Sequence, residues 1–240
     1  MDYLRFLKKI KNKINLTILK FKPRLDSNEI FNNIYEQRLW GKEENNDRLF
    51  SGEGSFDSDL TEKYIKAIKS LLVNFDNPSV LDLGCGDFEV GKHFIPYVSN
   101  YIAADVSSMM IEQNKKRFAD TDVNFVHLDG SKDQIPKVDI ILLRQVLQHL
   151  SNDDIENMLK NITLSGAKCL CVTEHLPIDE KFVSNIDKPT GVGIRLGLGS
   201  GIDVEKYPFK LNVDSSKILI EIDTFAEGLN SKLVTKQYTF

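Results

Sequence analysis

An acid stands two residues ahead of a pair of glycines in Asp82-Leu83-Gly84-Cys85-Gly86, at the close of the apolar run from Val80 to Leu83; 23 residues on, a second acid, Asp105, closes Tyr101-Ile102-Ala103-Ala104. Each run reads as a strand that delivers its acid to the carboxyl edge of a sheet. The glycines let a ligand approach a backbone that side chains would screen. Asp105 can then accept two hydrogen bonds from the hydroxyls of a ribose. Types and spacing together predict a nucleoside site.

The glycine spacing separates two ligand classes. A dinucleotide fingerprint needs G-x-G-x-x-G, but counting on from Gly84 and Gly86 the third position is Glu89. A carboxylate near a helix N-terminus repels a pyrophosphate. Asp82 suits a ligand with positive charge and no phosphate, such as S-adenosylmethionine with its ammonium and sulfonium.

On these residues the chain resembles the class I S-adenosylmethionine-dependent methyltransferases. The resemblance spans roughly Asp57 to Glu174 and rests on Asp82 to Gly86, on Asp105, on Leu128-Asp129-Gly130, and on Val138 to Leu143 followed by Arg144-Gln145-Val146-Leu147-Gln148-His149-Leu150. It implies an α/β fold, a Rossmann-like doubly wound and mostly parallel seven-stranded sheet with a C-terminal antiparallel hairpin and an N-terminal helical extension. It also implies that Gly84 and Gly86 lie against the methionine part of S-adenosylmethionine, that Asp105 binds the ribose and that Asp129 meets the adenine amine. Many members carry glycine where this chain has Phe88, so Phe88 is left out of the site. If the strand order follows the resemblance, Arg144, Gln145 and His149 overlook the donor methyl, with Arg144 on the cofactor side, and the next strand brings Glu174 and His175 to the same edge.

Methyl transfer needs in-line alignment above all, and a base only when the nucleophile arrives protonated. His149 is the first candidate base and His175 the second. His149 also falls where the similar methyltransferases acting on phosphoethanolamine carry a histidine; the alternative is a cap on the helix starting near Ser151. Glu174, Gln145 and Arg195 are the candidate acceptor-binding groups, Arg195 as a bidentate partner for a phosphate or carboxylate. His93 and His127 read as packing residues. Tyr35 and Trp40 either cover the donor or pair in the core. A looser likeness to methyltransferases of bacterial surface-polysaccharide genes rests on Trp40-Gly41, the loop Ser51 to Ser55, and Asp187 to Gly191 through Ser200-Gly201. It implies an acceptor destined for a capsule or lipopolysaccharide: His149 favours the amine of a phosphorylated amino alcohol, phosphoethanolamine-like, and O-methylation of a nucleotide-linked or lipid-linked sugar is the alternative. A nicotinamide oxidoreductase and a non-catalytic adaptor are the rival classes.

Around these residues the pattern predicts helices over Asn28 to Trp40, 60–75, 89–98, 108–119 and 152–164. Strands are predicted over 80–83, 101–105, 123–128, 138–143, 168–173, 217–222 and 233–240. Asp59 with Glu62 has capping-box spacing at the 60–75 helix. Residues 1–56 are expected to hold a basic amphipathic helix, a second helix and a lid loop; 57–240 are expected to form the S-adenosylmethionine-binding domain, with 175–209 a Gly- and Pro-rich acceptor-site insertion. The 240 residues carry a net charge of -4, but residues 1–24 hold eight basic residues against Asp2, a charge of +7 that leaves -11 on the rest. An acidic body argues against a nucleic-acid partner. The basic segment could contact an anionic membrane face or a partner enzyme, or pack on its own domain. Three cysteines without metal spacing, no signal pattern and no membrane-length apolar run point to a reduced cytoplasmic setting with no metal.

Overall fold

The computed structural model describes residues 26–41, 48–52 and 58–240. The expected basic helix of residues 1–24 and most of the expected lid loop lie outside them. Helices α1 (Ser27–Glu36), α2 (Ser58–Leu72), α3 (Ser108–Arg117) and α4 (Asn152–Ser165) surround strands β1 (Ser79–Leu83), β2 (Asn100–Asp105), β3 (Asn124–His127), β4 (Ile140–Arg144), β5 (Cys169–Pro177), β6 (Ser215–Ala226) and β7 (Leu229–Thr239). The sheet order is β3-β2-β1-β4-β5-β7-β6, parallel from β3 to β5 and antiparallel at β7 and β6. Strand order therefore reverses between β1 and β4, as expected, and the crevice outside their carboxyl ends is where ligands bind in such sheets.

Alternation along each strand divides the core into two layers. Leu81, Ile102, Ile141 and Leu170 face α4 and α1. Val80, Tyr101, Ile140 and Cys169 face α2 and the segment around Phe88 and Phe94. Asp139 joins the bottom of the sheet, accepting from the Ser79 amide at 2.9 Å and the Lys168 ammonium at 2.7 Å.

Three elements depart from expectation. The predicted 89–98 helix is a 3-10 segment, Gly91–Tyr97, because Pro96 has no amide to donate and its ring crowds the preceding turn. The helix predicted to run to Trp40 stops at Glu36, and the chain turns through Arg38 at φ +53°. The C-terminal hairpin is longer than expected. Its strands meet at Glu227-Gly228, both left-handed at φ +50° and +75°, the backbone of a two-residue hairpin turn. Among the described residues no helix is long and apolar enough to cross a membrane.

Candidate active site

A cavity of about 310 Å³ opens at the carboxyl ends of β1, β2 and β4. Gly84 stands at φ +82°, and a Cβ there would meet Val146 Cγ2 at 2.4 Å; at Gly86, φ +53°, it would meet Ser51 Cβ at 2.8 Å. Both glycines are thus required by the turn and by close neighbours on other segments. Asp105, 5% exposed, accepts from the Gly86 amide at 3.0 Å and the Ser107 amide at 2.8 Å, one on each carboxylate oxygen. Each oxygen keeps a lone pair for a ligand hydroxyl. Burial lifts Asp105 to about 6 against the pull of these amides. Asp82 is likewise lifted to about 6 by burial, and its Oδ2 accepts from the Tyr101 hydroxyl at 3.0 Å. Asp129 lines the far end and accepts from the Ser131 amide and hydroxyl at 3.0 and 2.7 Å. Arg144 lies over the Tyr64 ring, 5.1 Å from its centroid, on the cavity wall.

The rim was only partly foreseen. Ser51 and Asp87 grip each other across 36 residues, Asp87 N donating to Ser51 Oγ at 3.0 Å, so a short piece of the loop before α2 is seated on the glycine turn. Gln148 and Glu227 also line the cavity. The Gln145-to-His149 run contained the signal for Gln148. Glu227 sits at a hairpin turn whose place over the cavity no local pattern encodes.

At the other end, Trp40 closes on His149 with ring centroids 5.0 Å apart and on Tyr35 at 5.1 Å, edge to face. Gln145 and His175 meet through their Nε2 atoms at 2.9 Å. Ser151 itself caps α4, accepting from the Asp154 amide, so His149 is not the cap. Burial first, and the nearby Lys188 charge second, push His149 down to about 3. Burial holds His175 at about 4. A base whose folded value lies below its unfolded 6.5 stays neutral while the unfolded chain protonates. His149 should therefore show no protonation in an imidazole NMR titration from pH 8 to 5. Native stability relative to His149→Gln should fall as pH drops below 6.5; a midpoint near 6.5 in the folded protein would contradict the burial.

Two expected acceptor ligands are spent elsewhere. Arg195, 1% exposed, gives its guanidinium to the carbonyls of Ile186, Leu147, Gln148 and Leu150 and to Asn152 Oδ1, so it has no donor left for an acceptor phosphate. Glu174, 3% exposed, accepts from the Leu147 and Gln148 amides at 2.8 and 3.1 Å and does not line the cavity. Glu89, expected to repel a pyrophosphate, has its carboxylate paired with Arg48, Lys92 and Arg117 and does not line the cavity. Phe88, left out of the site on its sequence, is fully buried at φ +63° and does not line the cavity.

Residues 81–165 match a family described as a methyltransferase domain. The matched stretch runs from β1 to the end of α4 and so takes in the cavity's glycine turn, Asp105, Asp129 and the Arg144-to-His149 run. The fold of the chain is similar to that of the N-methyltransferase NodS from Bradyrhizobium japonicum WM9 in complex with S-adenosyl-l-homocysteine, with 12% identity and a TM-score of 0.61 over 88% of this chain and 98% of that one. It is also similar to magnesium protoporphyrin IX methyltransferase (ChlM) from Synechocystis PCC 6803 with bound SAM, with 14% identity and a TM-score of 0.55 over 91% and 100% of the two chains. A third likeness is to an S-adenosylmethionine-dependent methyltransferase from Clostridium acetobutylicum ATCC 824, with 15% identity and a TM-score of 0.52 over 78% and 95%. No curated protein sequence matches the chain. The residues present fit the donor: Asp105 has lone pairs for ribose hydroxyls, the Gly84 to Gly86 turn is open to the cavity, Asp129 lies at one end and Arg144 at the other. Among the described residues no group of three His, Cys, Asp or Glu is placed to hold a metal ion.

Proposed function

We propose that the enzyme transfers the methyl group of S-adenosylmethionine to a hydroxyl of an uncharged, sugar-like unit. The observation that carries this reading is the acceptor-side wall: Trp40, Gln145, Gln148, His149 and His175, with both imidazoles neutral. An aromatic face with amide and imidazole hydrogen-bonding groups suits a ring bearing hydroxyls. The amine of a phosphorylated amino alcohol is the second reading, favoured by His149 in the phosphoethanolamine-like position. It needs a cation for the phosphate. Among the described residues lining the cavity the only guanidinium or ammonium is Arg144, already stacked on Tyr64 beside Asp82. Taken with the sequence resemblance, the reading extends to a sugar of a bacterial surface polysaccharide whose nucleotide or lipid carrier stays outside the cavity.

S-adenosylmethionine, held by Asp105 and the Gly84 to Gly86 turn, would supply the methyl group: the acceptor oxygen would bond to the methyl carbon as the carbon–sulfur bond breaks, leaving the neutral thioether, and the hydroxyl proton would pass to solvent water. Alignment supplies most of the acceleration. With values near 3 and 4, the histidines are too weakly basic to hold that proton before methyl transfer, so they act by hydrogen-bonding the hydroxyl as carbon–oxygen bonding begins. The test is S-adenosylhomocysteine formation by the purified protein with a panel of nucleotide sugars and simple glycosides against phosphoethanolamine. Turnover with a sugar is the expected result. Turnover with phosphoethanolamine and none with sugars would replace this reading by the amine.

A further inference from the structure

The turn over residues 147–150 carries Gln148 and His149 to the cavity, yet nothing in its own sequence makes it rigid; its only regular part is one short 3-10 segment, Leu147–His149. Its backbone polar groups are instead held by buried polar side chains from two other parts of the chain. From β5, Glu174 accepts the amides of Leu147 and Gln148. From the 3-10 turn Arg195–Leu198, the five N–H donors of Arg195 make five bonds, three of them to the carbonyls of Leu147, Gln148 and Leu150 at 3.1, 3.3 and 2.7 Å. Lys188 serves the remaining carbonyl, donating from Nζ to His149 O at 3.0 Å, with the Gly191 amide on the same oxygen at 2.9 Å. Lys188 is 9% exposed. A guanidinium this deeply buried is costly unless every donor is used, and here every donor is.

We propose that Glu174 and Arg195 are positioning residues: a two-sided buried clamp, carboxyl oxygens on the amides and guanidinium on the carbonyls, that fixes the turn presenting Gln148 and His149 to the acceptor. The clamp gives the segment between β5 and β6 a second task besides bordering the cavity, because its path is what carries Arg195 and Lys188 beneath a turn some 40 residues earlier. The consequence for the acceptor rests on the reading that this turn faces it; the clamp itself is a matter of backbone order. Donor contacts run through Asp105 and the glycine turn, which neither residue touches.

The single tryptophan, Trp40, packs on His149 and so reports where the turn stands. In Arg195→Met, amide hydrogen exchange at residues 147–150 should quicken by at least about 30-fold and Trp40 emission should shift, while S-adenosylhomocysteine affinity by calorimetry stays within about threefold. Arg195→Lys should recover part of both signals, since an ammonium reaches one or two of the carbonyls. Glu174→Gln should quicken exchange at 147 and 148 alone. With whichever sugar the panel identifies, kcat should fall at least about 10-fold and KM for S-adenosylmethionine should hold. Wild-type exchange and emission in folded Arg195→Met would overturn the clamp, as would a loss of S-adenosylhomocysteine affinity equal to the loss of turnover; should that variant not fold, Arg195→Lys decides by the same readouts. If no sugar turns over, the acceptor reading fails, and exchange with fluorescence still judges the clamp.

Discussion

Asp105→Asn is expected to weaken S-adenosylhomocysteine binding by about 100-fold or more at pH 7.5 while leaving the apo protein folded. The binding loss follows from removing a carboxylate whose oxygens each have a lone pair open to a ribose hydroxyl; hydrogen bonds to a charged group are worth about 1.5–3 kcal/mol apiece, so two exceed the roughly 2.7 kcal/mol that a 100-fold change requires. Stability is a balance. Asn presents an NH2 to either Gly86 N–H or Ser107 N–H, at a cost of about 1–3 kcal/mol for the mispaired donor. Against this, the native carboxyl is lifted by burial to about 6. An acid raised in the folded state is without penalty below its unfolded value near 4, and loses stability as pH rises through 6. The penalty is about 3 kcal/mol above that point. Asn escapes it, so the two effects offset. The same linkage gives a second signature: hydroxyl donors favour the ionised carboxylate, so native affinity should rise from pH 5 to 7 and then level off. In Asp105→Asn that rise should shrink to the part contributed by Asp82, also lifted to about 6. Calorimetry across this range settles the matter; an Asn variant with native affinity would remove Asp105 from the donor site.

The donor half of the cavity was legible because its chemistry is local. Asp82, Gly84, Gly86 and Asp105 lie at strand ends whose position follows from apolar runs and turn residues, and the strand order that brings Arg144 and Gln145 beside them follows from right-handed parallel crossovers. The acceptor half was not. Residue type alone made Arg195 and Glu174 look like ligands, since an arginine in a glycine-rich segment and a glutamate at a strand end are compatible with substrate contacts. Whether their hydrogen bonds go to a ligand or to backbone depends on the path of an irregular segment, which has no periodic pattern to betray it. Likewise His149 has a nominal value near neutrality in any sequence; only the tertiary placement of Trp40 and Lys188, more than 100 and nearly 40 residues away, takes it out of that range. Local chemistry can be read forward from a chain, whereas the spending of polar groups between distant segments requires the fold.

Phe88 marks where two residues have traded sizes, and it supports the second large effect: Phe88→Gly should be more stable than Phe88→Ala, the reverse of the usual order. The Phe88 backbone stands at φ +63°, a conformation that costs a residue with a Cβ about 1–2 kcal/mol and glycine almost nothing. Its ring is fully buried, edge-on to Tyr101, Phe118 and Phe125 with centroids 5.1–5.5 Å away. Gly91 makes room for it, since a Cβ there would come within 2.5 Å of the ring. Truncation to Ala keeps the backbone strain and loses the packing, about 3–5 kcal/mol. Truncation to Gly loses the same packing and about 0.5–1 kcal/mol more to chain entropy, but recovers the strain, for a net loss of about 2.5–4.5 kcal/mol. At about 2–4 °C per kcal/mol for a chain of this size, both variants should melt roughly 10 °C below the native protein, with Gly above Ala by about 1–3 °C. Because the ring does not line the cavity, S-adenosylhomocysteine affinity should hold within a few-fold in both. If Phe88→Ala melts above Phe88→Gly, the left-handed backbone at this position is not a source of strain, and the aromatic cluster alone accounts for the residue.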